Sequence, residues 1–217
     1  MRKITSLLLL LSLLFPLYIF SQNIKGGLAL GLNATQVDGD EVFGFHKYGL
    51  NIGPFAIIPL GKNFSISLET IYNQKGSYQR PQYKDSLSNG EYRLKLNYVE
   101  VPVLFRYTDK DIFTFGTGLS WGRLVDFKEW EHGRAVNWDN PNGPYKRSDV
   151  NVLIDVQFKM TKGLNFNFRY AYSLAKLRTR TFLTGEVRNQ FNNIITLRLV
   201  YIFKDSPMPK AEKKVDK

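Results

Sequence analysis

Between Val150 and Met160 every second side chain is apolar. Val150, Val152, Ile154, Val156, Phe158 and Met160 stand on one face, against Asn151, Asp155, Gln157 and Lys159 on the other. A period of two with unlike faces predicts a β-strand lying between two different environments. The next segment repeats it, with Leu164, Phe166, Phe168, Tyr170, Tyr172 and Leu174 opposite Asn165, Asn167, Arg169 and Ser173. The last does so less cleanly, with Phe191, Ile195, Leu197, Leu199, Tyr201 and Phe203 opposite Thr196 and Arg198, which are mixed with Ile194, Val200 and Ile202. Weaker alternation marks further strands around Leu28–Ala34, Leu50–Ile58, Phe64–Tyr72 and Phe113–Trp121. In the fourth strand the apolar positions are even from Tyr92 to Tyr98 and odd from Val99 to Tyr107. That change of parity predicts a β-bulge near Tyr98–Val99, close to Pro102.

The connections alternate in length. Gly61–Asn63, Thr108–Asp111 and Thr161–Gly163 are short polar turns, whereas Gln36–Lys47, Ser77–Glu91, Phe127–Ser148 and Arg178–Gln190 are long polar stretches. Four long and three short connections join eight strands. The expected fold class is therefore all-β, an eight-stranded antiparallel up-and-down transmembrane β-barrel with short periplasmic turns and long outer loops. An even strand number puts the first and last strand termini on one side, expected to be periplasmic.

Period alone does not say which face is out. The polar face carries Glu69, Glu100, Asp155, Lys159, Arg169 and Arg198 and is rich in glycine and serine. Such side chains suit the narrow interior of an eight-stranded barrel, where charges must pair. Trp121, Tyr170, Tyr172 and Tyr201 fall near strand ends, where interfacial aromatic girdles form. The apolar face is therefore expected to meet lipid, rather than to fill a soluble, lipocalin-like barrel.

The N-terminus agrees. Met1-Arg2-Lys3 is followed by the apolar run Ile4–Phe20 and then Ser21-Gln22, the layout of a secretory signal peptide over residues 1–21 with a cut after Ser21. The run is somewhat short for a permanent span and is interrupted by Pro16. Residues 22–203 would form the barrel domain, and the lysine-rich 204–217, with Pro207 and Pro209, a disordered periplasmic tail. The formal net charge of +11 is not gathered in a stripe. With an export leader it points to anionic outer-membrane lipid and lipopolysaccharide rather than to nucleic acid.

Four segments carry a family likeness: Gly26–Asn33, Glu69–Gly76, Leu96–Pro102 and Phe168–Tyr172. In order and spacing the chain resembles the PorT-like outer-membrane β-barrel family of Bacteroidetes. The resemblance implies an eight-stranded outer-membrane barrel. It supplies no functional residues to transfer, and the secretion role of the namesake branch is not carried over.

No catalytic, cofactor-binding or metal site is expected. There is no cysteine, and His46 and His132 both fall in long loops without a metal-ligand spacing. Asp38-Gly39-Asp40-Glu41 reads as a solvated turn. Pairing Ser77 with His46, or Ser148 with His132, would be needed for a lipid hydrolase, and no motif supports either. Two functional regions remain. Glu69, Glu100, Asp155, Lys159, Arg169 and Arg198 form either a paired lumen plug or the lining of a narrow transport or secretion-accessory channel. In the loop 127–148, Trp130, Trp138 and Tyr145 either contact a surface ligand or partner protein, or pack the membrane interface and the barrel mouth. The leading expectation is a non-enzymatic barrel with a structural or surface-interaction role.

Overall fold

The computed structural model describes residues 24–83, 89–140, 143–182 and 184–203. The expected leader and basic tail lie outside them. The described elements are strands only: β1 (Lys25–Asp38), β2 (Lys47–Pro59), β3 (Phe64–Glu69), β4 (Ile71–Gln79), β5 (Tyr92–Asp109), β6 (Phe113–Glu131), β7 (Arg134–Ala135), β8 (Ser148–Lys159), β9 (Leu164–Ser173), β10 (Arg178–Thr181) and β11 (Val187–Ile202).

Segments β3 and β4 are one strand in register. Phe55↔Glu69 and Ile52↔Tyr72 keep the same offset against β2, as Phe64↔Tyr107 and Ile71↔Glu100 do against β5. The nominal break at Thr70 has a chemical cause. Pro54 and Pro102 flank it on the neighbouring strands, and neither has an amide hydrogen to give to the ladder. Counting them as one, eight antiparallel strands run β1–β2–β3/β4–β5–β6–β8–β9–β11. The ring closes through β1 and β11, paired from Gly27↔Ile202 to Asp38↔Phe191. The three short turns lie at one end and the four long connections at the other. The turn before β6 is tight, with Lys110 and Asp111 both at positive φ, the backbone that a two-strand hairpin's twist favours. Two long connections carry structure of their own: β7 pairs back on β6, and β10 on β11.

Phe158, Phe168 and Leu197 are 39, 42 and 48 % exposed, so the apolar rows face outward. The opposite rows, including Asn33, Asn51, Ser67, Asn151 and Asn167, are buried. An inverted, soluble barrel would show the reverse.

The expected face change on the fourth strand does not occur. On β5 the even residues Tyr92, Leu94, Leu96, Tyr98, Glu100, Leu104 and Arg106 all point inward. The bulge lies across from them on β6: Asn97 pairs with Asp126 and Tyr98 with Leu124, leaving Val125 as the extra residue. What changes along β5 is the lumen. Below Tyr98 it carries buried charges interleaved with small apolar clusters (Leu104, Leu153, Ala171 and Ile194; Ala29, Phe55 and Val200), and above it is mainly apolar, where Val37, Leu94, Leu96, Tyr98, Leu124, Tyr145 and Leu177 form a core. The strand keeps its direction while its surroundings exchange character.

Candidate functional site

Two ion clusters fill the lower lumen. In the first, Arg169 grips the Glu69 carboxylate with two hydrogen bonds of 2.7 and 3.0 Å, and Arg198 donates to it at 2.8 Å. Asp155 accepts from Arg169 at 2.8 Å and from Arg106 at 2.9 Å. In the second, Lys75 lies 2.5 Å from Glu100 and 2.9 Å from Asp149. Three arginines against two carboxylates leave one positive charge, and one lysine against two carboxylates leaves one negative, so together they balance. Neutral amides add to the pairing: Asn73 donates to Glu100, Asn192 to Asp149, and Asn167 accepts from Arg198. Charges held from bulk water are tolerated only when paired.

Glu69, Glu100, Asp155, Arg169 and Arg198 thus stand together in the lumen. Lys159 does not. It is exposed at the turn-end rim where β8 stops, outside the buried clusters, because it lies one strand position too far along to be enclosed. Lys75, Arg106 and Asp149 are the members that sequence reasoning missed. Parity marks all three: Lys75 shares the face of Glu69, Arg106 that of Glu100, and Asp149 that of Asp155.

Above the apolar storey a third group caps the loop end. Arg178 of β10 donates to Glu129 at 2.9 Å and to Gln190 at 2.7 Å, and lies 4.7 Å from the Tyr145 ring centre. Tyr92 donates to Glu129 at 2.9 Å. Tyr145 is therefore buried against Phe127 and Arg178, not offered to a ligand. Part of the expected loop 127–148 is strand, since β6 runs to Glu131. Trp130 is half-buried on the outer wall beside Arg93, and Trp138 is exposed. The most exposed aromatic of the crown is one that composition did not single out, Phe43, at 86 %. It borders a groove with Glu91, Glu131, His132, Arg180 and Phe182.

The proposed hydrolase pairings find no support in placement: Ser77 is buried in the lumen while His46 is exposed, and His132 accepts a hydrogen bond from the Gly90 amide. Among the described residues no group of three or more His, Asp and Glu side chains is arranged to hold a metal ion.

A family model described as "Outer membrane protein beta-barrel domain" matches residues 20–178. No curated protein matches the chain. Among solved structures, Ail, the attachment invasion locus protein of Yersinia pestis, is similar with a TM-score of 0.50 at 12 % identity, over 82 % of this chain and 98 % of that one. Neisserial surface protein A gives 0.43 at 12 % identity, over 83 % and 96 %. OprG of Pseudomonas aeruginosa gives 0.38 at 11 % identity, over 83 % and 94 %. At such identities the likeness to Ail is one of fold.

Proposed function

Since the chain belongs to the outer membrane protein beta-barrel domain family and is a bacterial outer-membrane β-barrel, we propose that it works as a closed, non-enzymatic wall that presents its loop crown to a surface ligand or partner. In this reading the leader is removed, both termini face the periplasm, the long loops face outward, and the chain belongs to the PorT-like branch. The observation that carries the proposal is a sealed lumen beneath exposed crown aromatics. Ion clusters and the apolar side chains packed among them fill the lower half, the core around Leu94, Leu96 and Tyr98 fills the upper half, and Phe43 and Trp138 are exposed above. An eight-stranded barrel has little room beyond its own side chains.

Two measurements test it. The full protein in planar bilayers is expected to give no unitary conductance; regular steps would favour the transport reading. Proteoliposomes bearing the protein are expected to bind at least one glycan or envelope protein on an array, and to lose it on Phe43→Ser with Trp138→Ser. No binding by the unaltered protein, or binding indifferent to both substitutions, would remove the crown from the account.

A further inference from the structure

The outer wall changes chemistry abruptly along β5. From Tyr107 up to Val99 its outward residues are Tyr107, Phe105, Val103, Val101 and Val99, all apolar. Asn97 follows, and then Lys95 and Arg93. At about 3.3 Å per residue, Lys95 lies roughly 13 Å along the strand beyond Val99, about 10 Å of height for a strand tilted by about 40°, which is the level of headgroups above the acyl belt. Neighbouring strands bring more positive charge to the same height. Lys47 opens β2, Arg80 follows the end of β4, and Lys128 pairs with Lys95 across to β6.

Lys47, Arg80, Arg93 and Lys95 line one shallow groove with Tyr78 and Trp130. Among the described residues no carboxylate lines it. Of the acids nearby, Glu91 pairs with Arg93 at 3.4 Å from the crown side, and Asp126 accepts from Asn97 below. Arg93 lies between two rings, 5.2 Å from the centre of Tyr78 and 5.9 Å from that of Trp130, which hold its guanidinium against the wall. Four cations with one acid at their edge still repel one another, a cost in free energy that a further anion would relieve. Interfacial aromatics beside cations suit a group that is phosphorylated at its head and apolar below.

We propose that this groove binds a phosphorylated headgroup of a lipid in the surrounding leaflet, with Arg93 and Lys95 as its principal contacts and Lys47 and Arg80 beside them. The groove lies on the barrel's flank rather than on the crown, so this goes beyond the function proposed above.

The test uses the full-length protein in zwitterionic detergent, where orientation plays no part, so its failure leaves the crown reading untouched. Bisphosphorylated lipid A, phosphatidylcholine and inorganic phosphate are titrated while bound lipid is counted by native mass spectrometry. Bisphosphorylated lipid A is expected to bind, phosphatidylcholine and inorganic phosphate to bind at least tenfold more weakly. Arg93→Gln with Lys95→Gln should weaken lipid A at least tenfold, whereas Lys62→Gln, at the opposite rim, should not change it. Should the double variant fail to fold, Arg80→Gln, which lies outside the strands, is expected to weaken binding about threefold. Equal affinity of the flank variants and the unaltered protein overturns the proposal. So does phosphatidylcholine binding as well as lipid A, or inorganic phosphate binding as tightly as either.

Discussion

Arg169 and Glu69, one hundred residues apart in the chain, meet inside the barrel through two hydrogen bonds of 2.7 and 3.0 Å. The pair joins β9 to β3 across the lumen rather than along the sheet, and Arg198 of β11 shares the same carboxylate. Glu69→Gln would leave three buried arginines facing Asp155 alone. Breaking a buried pair by removing one partner costs roughly 3–5 kcal/mol. The variant is expected to lose the slow gel mobility change on heating at a markedly lower temperature; an unchanged midpoint would mean that the cluster contributes nothing to stability.

Gly116 makes room for this cluster. A Cβ placed there would lie 2.3 Å from Asp155 Oδ1 and 3.3 Å from Arg106 Cγ. Neither side chain can retreat without giving up its ion pair. Gly116→Val is expected to cost about 1–3 kcal/mol, as overpacking does, measured by urea unfolding in micelles. Gly61, at whose Cβ position nothing lies within 4 Å, is the control, and Gly61→Ala should be neutral.

The strands that were legible in sequence are those whose two faces stay unlike from end to end. On β8 the outward row runs Val150 to Phe158 without a polar residue, and the inward row Asn151, Asp155 and Gln157 is broken only by Leu153. On β5 the same logic misled, because it takes the interior to be polar throughout. Leu94 and Leu96 are as enclosed as Glu100; the lumen around them differs, and alternation reports contrast between faces without saying which face is which. Arg106 was readable from its parity with Glu100, and Lys159 was placed inside by parity although the strand ends there. Loop aromatics were the least legible. Tyr145 is buried because Phe127 and Arg178 come to it from distant segments, and nothing in the neighbouring sequence reports that.

Asp40 lies in the first long connection, 4 % exposed, with one carboxylate oxygen accepting from the Val42 amide at 2.9 Å. Burial, only partly offset by the Val42 hydrogen bond and by Arg178, pushes its carboxyl up to about 6. An acid with a raised folded value binds more protons folded than unfolded between its ordinary range and that value. Stability then falls as pH rises through about 4 to 6 and stays lower above it. The connection spanning residues 39–46 is expected to exchange its amides more slowly at pH 4.5 than at pH 7.5, after correction for intrinsic rates. Asp40→Asn should remove the difference; its persistence would assign the effect to another group.

The bulge offers the sharpest test of which strand carries the irregularity. Leu124 and Phe127 both face in, with Val125 and Asp126 between them, so removing Val125 would restore plain alternation and leave every residue beyond it on its present face. Deletion of Val125 is therefore expected to give a folded barrel, its heat-dependent mobility shift moved by only a few degrees. Deleting Lys95 from β5 is a different matter, because it would turn Tyr92 and Leu94 outward and bring Arg93 into the apolar storey. Losing the burial of two large side chains costs roughly 3–6 kcal/mol, before the enclosed guanidinium is counted. That variant should show early unfolding and proteolysis of the crown. If the two deletions behaved alike, or Val125 proved the more damaging, the bulge would belong to β5 and the inward row from Tyr92 to Arg106 would be wrong.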